Sequence, residues 1–213
     1  MFLKTIKSSF NLSLIMMVLF LLARNGMAET QVDIDLERET RKKVALAITD
    51  FVMPDSGADI LGIGKEAKKI LQKDLILSEL FSLLPEQIFE ELEKIEPSSS
   101  KADYRSWRQV GAQWLIKTEY ALTEKGKGQI FTFRLYDAVS KRFLLGKRYK
   151  ASRELLRKTI HRFADEVVMQ LTGKRGIAET EIAFLSQEKS GKEIYLIDFD
   201  GYNLRRLTHD NTV

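Results

Sequence analysis

A single apolar stripe dominates the sequence. Leu155, Leu156, Ile160, Phe163, Ala164, Val167, Val168 and Leu171 recur at helical spacing, and Gly173 follows them. Such a stripe predicts a long helix, capped at Ser152 and stopped at Gly173, with one face that must be buried against another layer. The segment before it supplies that layer. Trp114 to Thr123, Gln129 to Asp137 and Arg142 to Tyr149 read as three strands joined by short turns, an antiparallel meander. The turns fall at Glu124–Gly128 and Ala138–Lys141. Lys141-Arg142 and Lys147-Arg148 read as the solvated edge of this strand pair.

Further upstream, Val44 to Phe51 is a short apolar run ended by Pro54, the pattern of a buried strand. Helical spacing then predicts a helix over Ile63–Leu77, a strand over Leu80–Leu84 and a short helix over Glu86–Ile95. Pro97–Ser100 is a loop, and Asp103 is a plausible N-cap for a helix running to Val110 and ending at Gly111. The fold class is therefore α/β, a mixed β-sheet with packed helices, over residues 44–176.

The texture changes after Gly176. Ile182–Leu185, Glu193–Asp198 and Leu204–Thr208 are short strands separated by turns at Glu188–Lys192 and Asp200-Gly201. Three such strands make a sheet too small to stand alone, and sheets of this kind are normally repeated as blades. Residues 177–213 are thus expected to form an incomplete first blade of a β-propeller, weakly anchored because a neighbouring blade is missing.

The beginning of the chain reads as an export signal. Lys4 and Lys7 precede an apolar run from Phe10 to Ala23, and small residues occupy Gly26 and Ala28 before Glu29. The run is shorter than the roughly 20 residues needed to span a bilayer. Residues 1–28 are therefore expected to be a signal peptide cleaved between Ala28 and Glu29, leaving no stable membrane insertion. The absence of cysteine at this boundary argues against a lipid anchor.

Removing the leader changes the charge. The chain has 34 basic and 30 acidic residues, and the leader holds Lys4, Lys7 and Arg24 and no acid, so 31 basic residues remain against 30. No bulk basicity is left to attract nucleic acid. The lack of cysteine excludes disulfides, thiolate metal sites and a cysteine nucleophile.

The search for chemistry returns no catalytic residue, cofactor or metal site. His161 reads as a packing residue on the flank of the long helix, and His209 falls in a terminal loop. Gly62-Ile63-Gly64-Lys65 lacks the spacing of a phosphate loop, so its glycines mark the start of a helix. Asp198 to Asn203 lacks the ligand set of an EF-hand and reads as a hairpin turn.

An ordered series of segments carries a resemblance. It runs through His161-Arg162-Phe163-Ala164-Asp165-Glu166-Val167, Leu171-Thr172-Gly173-Lys174-Arg175-Gly176 and Thr180-Glu181-Ile182-Ala183-Phe184-Leu185-Ser186. It continues in Glu193–Asp198, Asp200–Asn203 and Arg206-Leu207-Thr208, with looser agreement at Trp107, Gly111, Trp114 and Phe133–Asp137. In this series the chain resembles the TolB family of the periplasmic Tol-Pal system. The resemblance implies an α/β domain followed by a six-bladed propeller, a place in the periplasm, and a role in outer-membrane integrity and constriction during division. It implies that the propeller binds the lipoprotein Pal, whose site would need blades this chain does not reach. It also implies that residues 29–43 form an N-terminal arm linked to TolA. That role is carried over to Glu29, Thr30, Gln31, Val32, Asp33 and Ile34, whose alternating pattern suits addition to a partner's sheet edge. Pairing of the arm with its own domain's sheet is the equal alternative. At the level of function, the alternative is an exported, non-catalytic α/β protein that binds a small ligand in a cleft. A periplasmic hydrolase is the weakest reading.

Overall fold

The computed structural model describes residues 42–54, 59, 61–96, 101–123, 128–188 and 191–209. The expected signal peptide, its cleavage point and the arm segment Glu29–Ile34 lie outside the described residues, as do the Pro97–Ser100 loop and residues 124–127.

The main sheet has five strands: β1 (Val44–Val52), β2 (Phe81–Leu83), β3 (Trp114–Leu122), β4 (Gly128–Asp137) and β5 (Arg142–Ser152). Their spatial order is β2-β1-β3-β4-β5. β1 lies parallel to both β2 and β3, with Val44 opposite Phe81 and Leu46 opposite Trp114. β3, β4 and β5 form the expected antiparallel meander. The sheet is therefore mixed.

Among the described residues, four helices cover it: α1 (Ile63–Leu77), α2 (Glu86–Ile95), α3 (Tyr104–Gln109) and α4 (Leu156–Thr172). Strand alternation sorts the core into two layers. Leu46, Ile48, Ile116, Phe131, Phe133 and Leu135 face α1 and α4. Ala47, Leu115 and Tyr136 face α2 and α3, where Phe89 and Trp107 pack with ring centroids 5.5 Å apart. Apolar side chains on both faces explain why β1 reads as a continuous apolar run. A register shift between Ile48 and Phe51 turns Phe51 back toward α1 and α4, where it meets Phe133 edge-on at 5.9 Å.

α4 starts later than the sequence suggests. β5 continues to Ser152, which pairs with Gly128, so Ser152 ends a strand and does not cap the helix. Leu155 occupies the N-cap position and is 53% exposed, outside the buried stripe. The C-terminus behaves as expected: Gly173 takes the left-handed conformation, φ 72°, and its amide donates to the Met169 carbonyl at 2.9 Å.

A second sheet contains β6 (Glu181–Glu188), β7 (Gly191–Asp198) and β8 (Arg205–Arg206), all antiparallel. β8 is shorter than the Leu204–Thr208 strand expected. Arg206 pairs with the buried Glu193 at 2.6 Å, and Phe184 stacks on Tyr195 at 5.8 Å. Ile182 and Phe184 on one face of β6 and Leu185 on the other are exposed.

The expectation of weak anchorage does not describe the whole segment. Asp165 of α4 accepts from the Ala178 amide at 2.7 Å and the Glu179 amide at 3.2 Å. Arg162 pairs with Glu179 at 2.8 Å, and the Phe199 amide donates to the Thr180 carbonyl at 3.0 Å. The start of the segment and the turn after β7 are tied down, while apolar side chains of β6 stay exposed.

Candidate functional site

The carboxyl end of β1 and the start of α1 enclose a cavity of about 540 Å³. In an α/β sheet this is where a helix N-terminus presents free amides to an anion. Here the chain supplies the anion itself. Asp59 Oδ2 accepts from the Lys65 amide at 2.8 Å, and Oδ1 accepts from Tyr120 Oη at 2.5 Å. Burial by itself raises the Asp59 carboxyl, but these bonds and those from the amides of Gly64 and Ile63 outweigh it and hold it below its ordinary value.

Both glycines act as helix-start residues. Gly62 has φ 65°, and a Cβ on Gly64 would stand 2.5 Å from the Phe51 carbonyl oxygen. Across the cavity, Lys68 meets Asp50 at 2.6 Å and Glu86 at 2.8 Å. Burial lowers the Lys68 ammonium's proton affinity, but its two carboxylate partners outweigh this and raise it. The anion position and the buried ammonium of this cavity thus have partners within the chain.

A second polar constellation lies between α1, α4 and the turn after β7. Asp74 Oδ2 stands 2.7 Å from His161 Nδ1, and both side chains are buried. Arg157, one turn before His161, donates to Oδ2 of the buried Asp200. Asp200 Oδ1 also accepts from the Tyr202 amide at 3.3 Å. The Arg157 guanidinium lies 3.9 Å from the Tyr202 ring centroid, and Lys73 Nζ 4.7 Å from it. Donor atoms of Asp74, His161 and Asp200 come within 4.8 Å of one another.

These three donors could in principle hold a cation, but the arginine already occupies the cationic position against Asp200. Asp74 Oδ1 and His161 Nε2 have no hydrogen-bond partner among the described residues. Burial raises the Asp74 carboxyl against the pull of His161. Sequence reading treats His161 as a packing residue and finds no clustered acids; the fold brings it onto two of them. Asp74 and His161 are 87 positions apart, so spacing carried no signal. The hairpin reading of Asp198–Asn203 holds: the Asp198 amide donates to the Tyr202 carbonyl at 2.9 Å, and Gly201 has φ 84°.

On the opposite face, Lys117 is fully buried and donates to Glu96 Oε1 at 2.7 Å. Trp107 Nε1 donates to the same oxygen at 2.9 Å, and the Asp103 amide donates to Glu96 Oε2 at 2.8 Å. This network fixes α3 on the sheet. Asp103 caps α3 as expected, accepting from the Arg105 amide.

Residues 32–144, which include β1 to β4, the polar network at the start of α1 and the Lys117–Glu96 network under α3, match the family model of the TolB amino-terminal domain. The chain belongs to the TolB family. Its relatives include the Tol-Pal system protein TolB of Syntrophotalea carbinolica, 35% identical over 184 residues, covering 86% of this chain and 42% of the relative. The TolB of Geobacter sulfurreducens is 36% identical over 157 residues, covering 74% of this chain and 35% of the relative. The chain thus spans about two fifths or less of the length of these relatives. The crystal structure of TolB from Acinetobacter baumannii superposes with a TM-score of 0.62 at 18% identity, covering 80% of this chain and 39% of that chain. This likeness carries the fold. The second sheet is consistent with part of a propeller blade. Among the described residues, no helix is long and apolar enough to cross a membrane.

Proposed function

We propose that this chain is a periplasmic protein-interaction component of the Tol-Pal envelope system, acting by binding and not by catalysis. The observation that carries the reading is the match of residues 32–144 to the TolB amino-terminal domain. The curated relatives bear the name Tol-Pal system protein TolB. The export pattern ending at Ala28 supports delivery to the periplasm, and the near balance of charge after its removal suits a protein partner better than nucleic acid.

In this reading, cleavage between Ala28 and Glu29 frees the arm Glu29–Ile34, which pairs as a strand with TolA. Pal is assigned to the complete propeller of full-length family members. The system so assembled supports outer-membrane integrity and constriction during division. The cavity at the start of α1 has its anion position taken by Asp59 and its buried Lys68 ammonium paired within the chain, which disfavours the small-ligand alternative.

Capture by the TolA C-terminal domain tests the assignment. The chain beginning at Glu29 should be retained, and the same chain lacking residues 29–34 should be lost. Equal retention of the two would overturn the role of the arm.

A further inference from the structure

We infer that the groove between α1 and the turn after β7 is a docking site for an extended acidic peptide segment of a partner protein. Lysines form one wall. Lys65, Lys69 and Lys73 follow one another four residues apart along α1, and all three are exposed. Together with Arg157, Asp200 and Tyr202 they line a groove of about 430 Å³. The turn supplies the other wall, where Tyr202 is half exposed.

The groove carries positive charge that the chain does not answer. Its two lining acids are both engaged: Glu66 pairs with Arg153, and Asp200 pairs with Arg157. Among the described residues, the ammonium groups of Lys65 and Lys69 have no ion-pair partner. Lys73 lies over the face of the Tyr202 ring, 4.7 Å from its centroid. This arrangement works against the helix itself. Like charges four residues apart on a helix repel one another. Lys65 also falls in the first turn, where the helix dipole disfavours a cation. The chain without its leader is nearly balanced in charge, so the stripe is a local concentration and not a sample of a basic surface.

Spacing selects the ligand. Four residues of helix advance about 6 Å. Alternate side chains on one face of an extended chain repeat at about 6.7 Å. Carboxylates at three alternate positions of an extended segment therefore meet the three ammonium groups in turn. A single phosphate is too small to reach all three, and a groove walled by the turn suits one peptide chain better than a flat bilayer. The site is separate from the helix N-terminus that Asp59 fills and from the arm's proposed contact with TolA, so it stands or falls independently of both.

An NMR titration of the chain beginning at Glu29, at low salt, tests it. The probes are two nine-residue capped peptides of equal composition, with three aspartates among threonines. One has the aspartates at every second position and the other at every third. The first should give saturable shifts of the Lys69, Lys73 and Tyr202 amides, and the second should bind more weakly. Replacing Lys65, Lys69 and Lys73 together by Gln should weaken the first peptide roughly thirtyfold, taking roughly threefold for each exposed ion pair. Replacing the exposed Lys101, Lys141 and Lys150 together by Gln makes the same change in net charge and should leave binding within about twofold, because charges beyond a Debye length are screened. No shifts in the groove, equal affinity for the two peptides, or equal loss in the two triple variants would each overturn the site. So would tighter binding of inorganic phosphate or of anionic phospholipid vesicles through these three lysines.

Discussion

Tyr120 Oη donates a 2.5 Å hydrogen bond to Asp59 Oδ1, joining β3 to the segment before α1. Through this bond, the α1 N-terminus, where an α/β fold offers its anion site, is stapled to the centre of the sheet. The pair also sets a pH signature. Asp59 lies below its ordinary 3.8, because its hydrogen bonds outweigh burial. Its contribution to stability is present above about pH 4 and is lost as pH falls through its folded value. Burial first, and then Asp59, push the Tyr120 phenol up, so its contribution is present below about pH 10 and is lost in strong alkali. Tyr120→Phe should cost about 1 kcal/mol at pH 7. Urea unfolding at pH 7 and pH 3 should show the gap between variant and wild type narrowing in acid.

The Lys117–Glu96 pair predicts an asymmetry. Glu96→Ala leaves the fully buried ammonium without its carboxylate and removes the acceptor of Trp107 Nε1. Removing one partner of such a pair costs about 3–5 kcal/mol. Replacing both, as in Lys117→Met with Glu96→Gln, should cost less than the single change. Denaturant midpoints of the three proteins check this.

Gly64→Ala places a methyl 2.5 Å from the Phe51 carbonyl, a backbone atom that cannot swing away. Overpacking of this kind costs about 1–3 kcal/mol. Gly62→Ala meets no atom but is held at φ 65°, which costs about 1–2 kcal/mol. Thermal unfolding should rank both below wild type.

Phe133 and Phe163 stack at 4.1 Å, both fully buried between β4 and α4. Phe163→Ala should cost about 3–5 kcal/mol. Phe163→Leu should recover part of that, because it keeps most of the volume. Urea unfolding of the two variants decides the order.

Much of the α/β layer was legible because periodicity there reports burial directly. The stripes of α1 and α4 each name the face that is covered. The start of α4 was not legible, because Ser152 has the chemistry of a cap yet its backbone continues the ladder opposite Gly128. The Asp74–His161–Asp200 cluster was invisible for a different reason: its members come from two helices and a turn, and no local spacing links them. Gly62 and Gly64 lie between these cases. The sequence marks them as the start of a helix, while only the fold reveals that Asp59 fills the anion position beside them.

The arm is where the functional account is most exposed to test. A calorimetric titration of the TolA C-terminal domain with a synthetic peptide of residues 29–40, beside the chain beginning at Glu29, addresses it directly. The account predicts saturable binding by both, with a scrambled peptide inert. Binding by the chain with none by the peptide, or equal binding by the scrambled peptide, would contradict it.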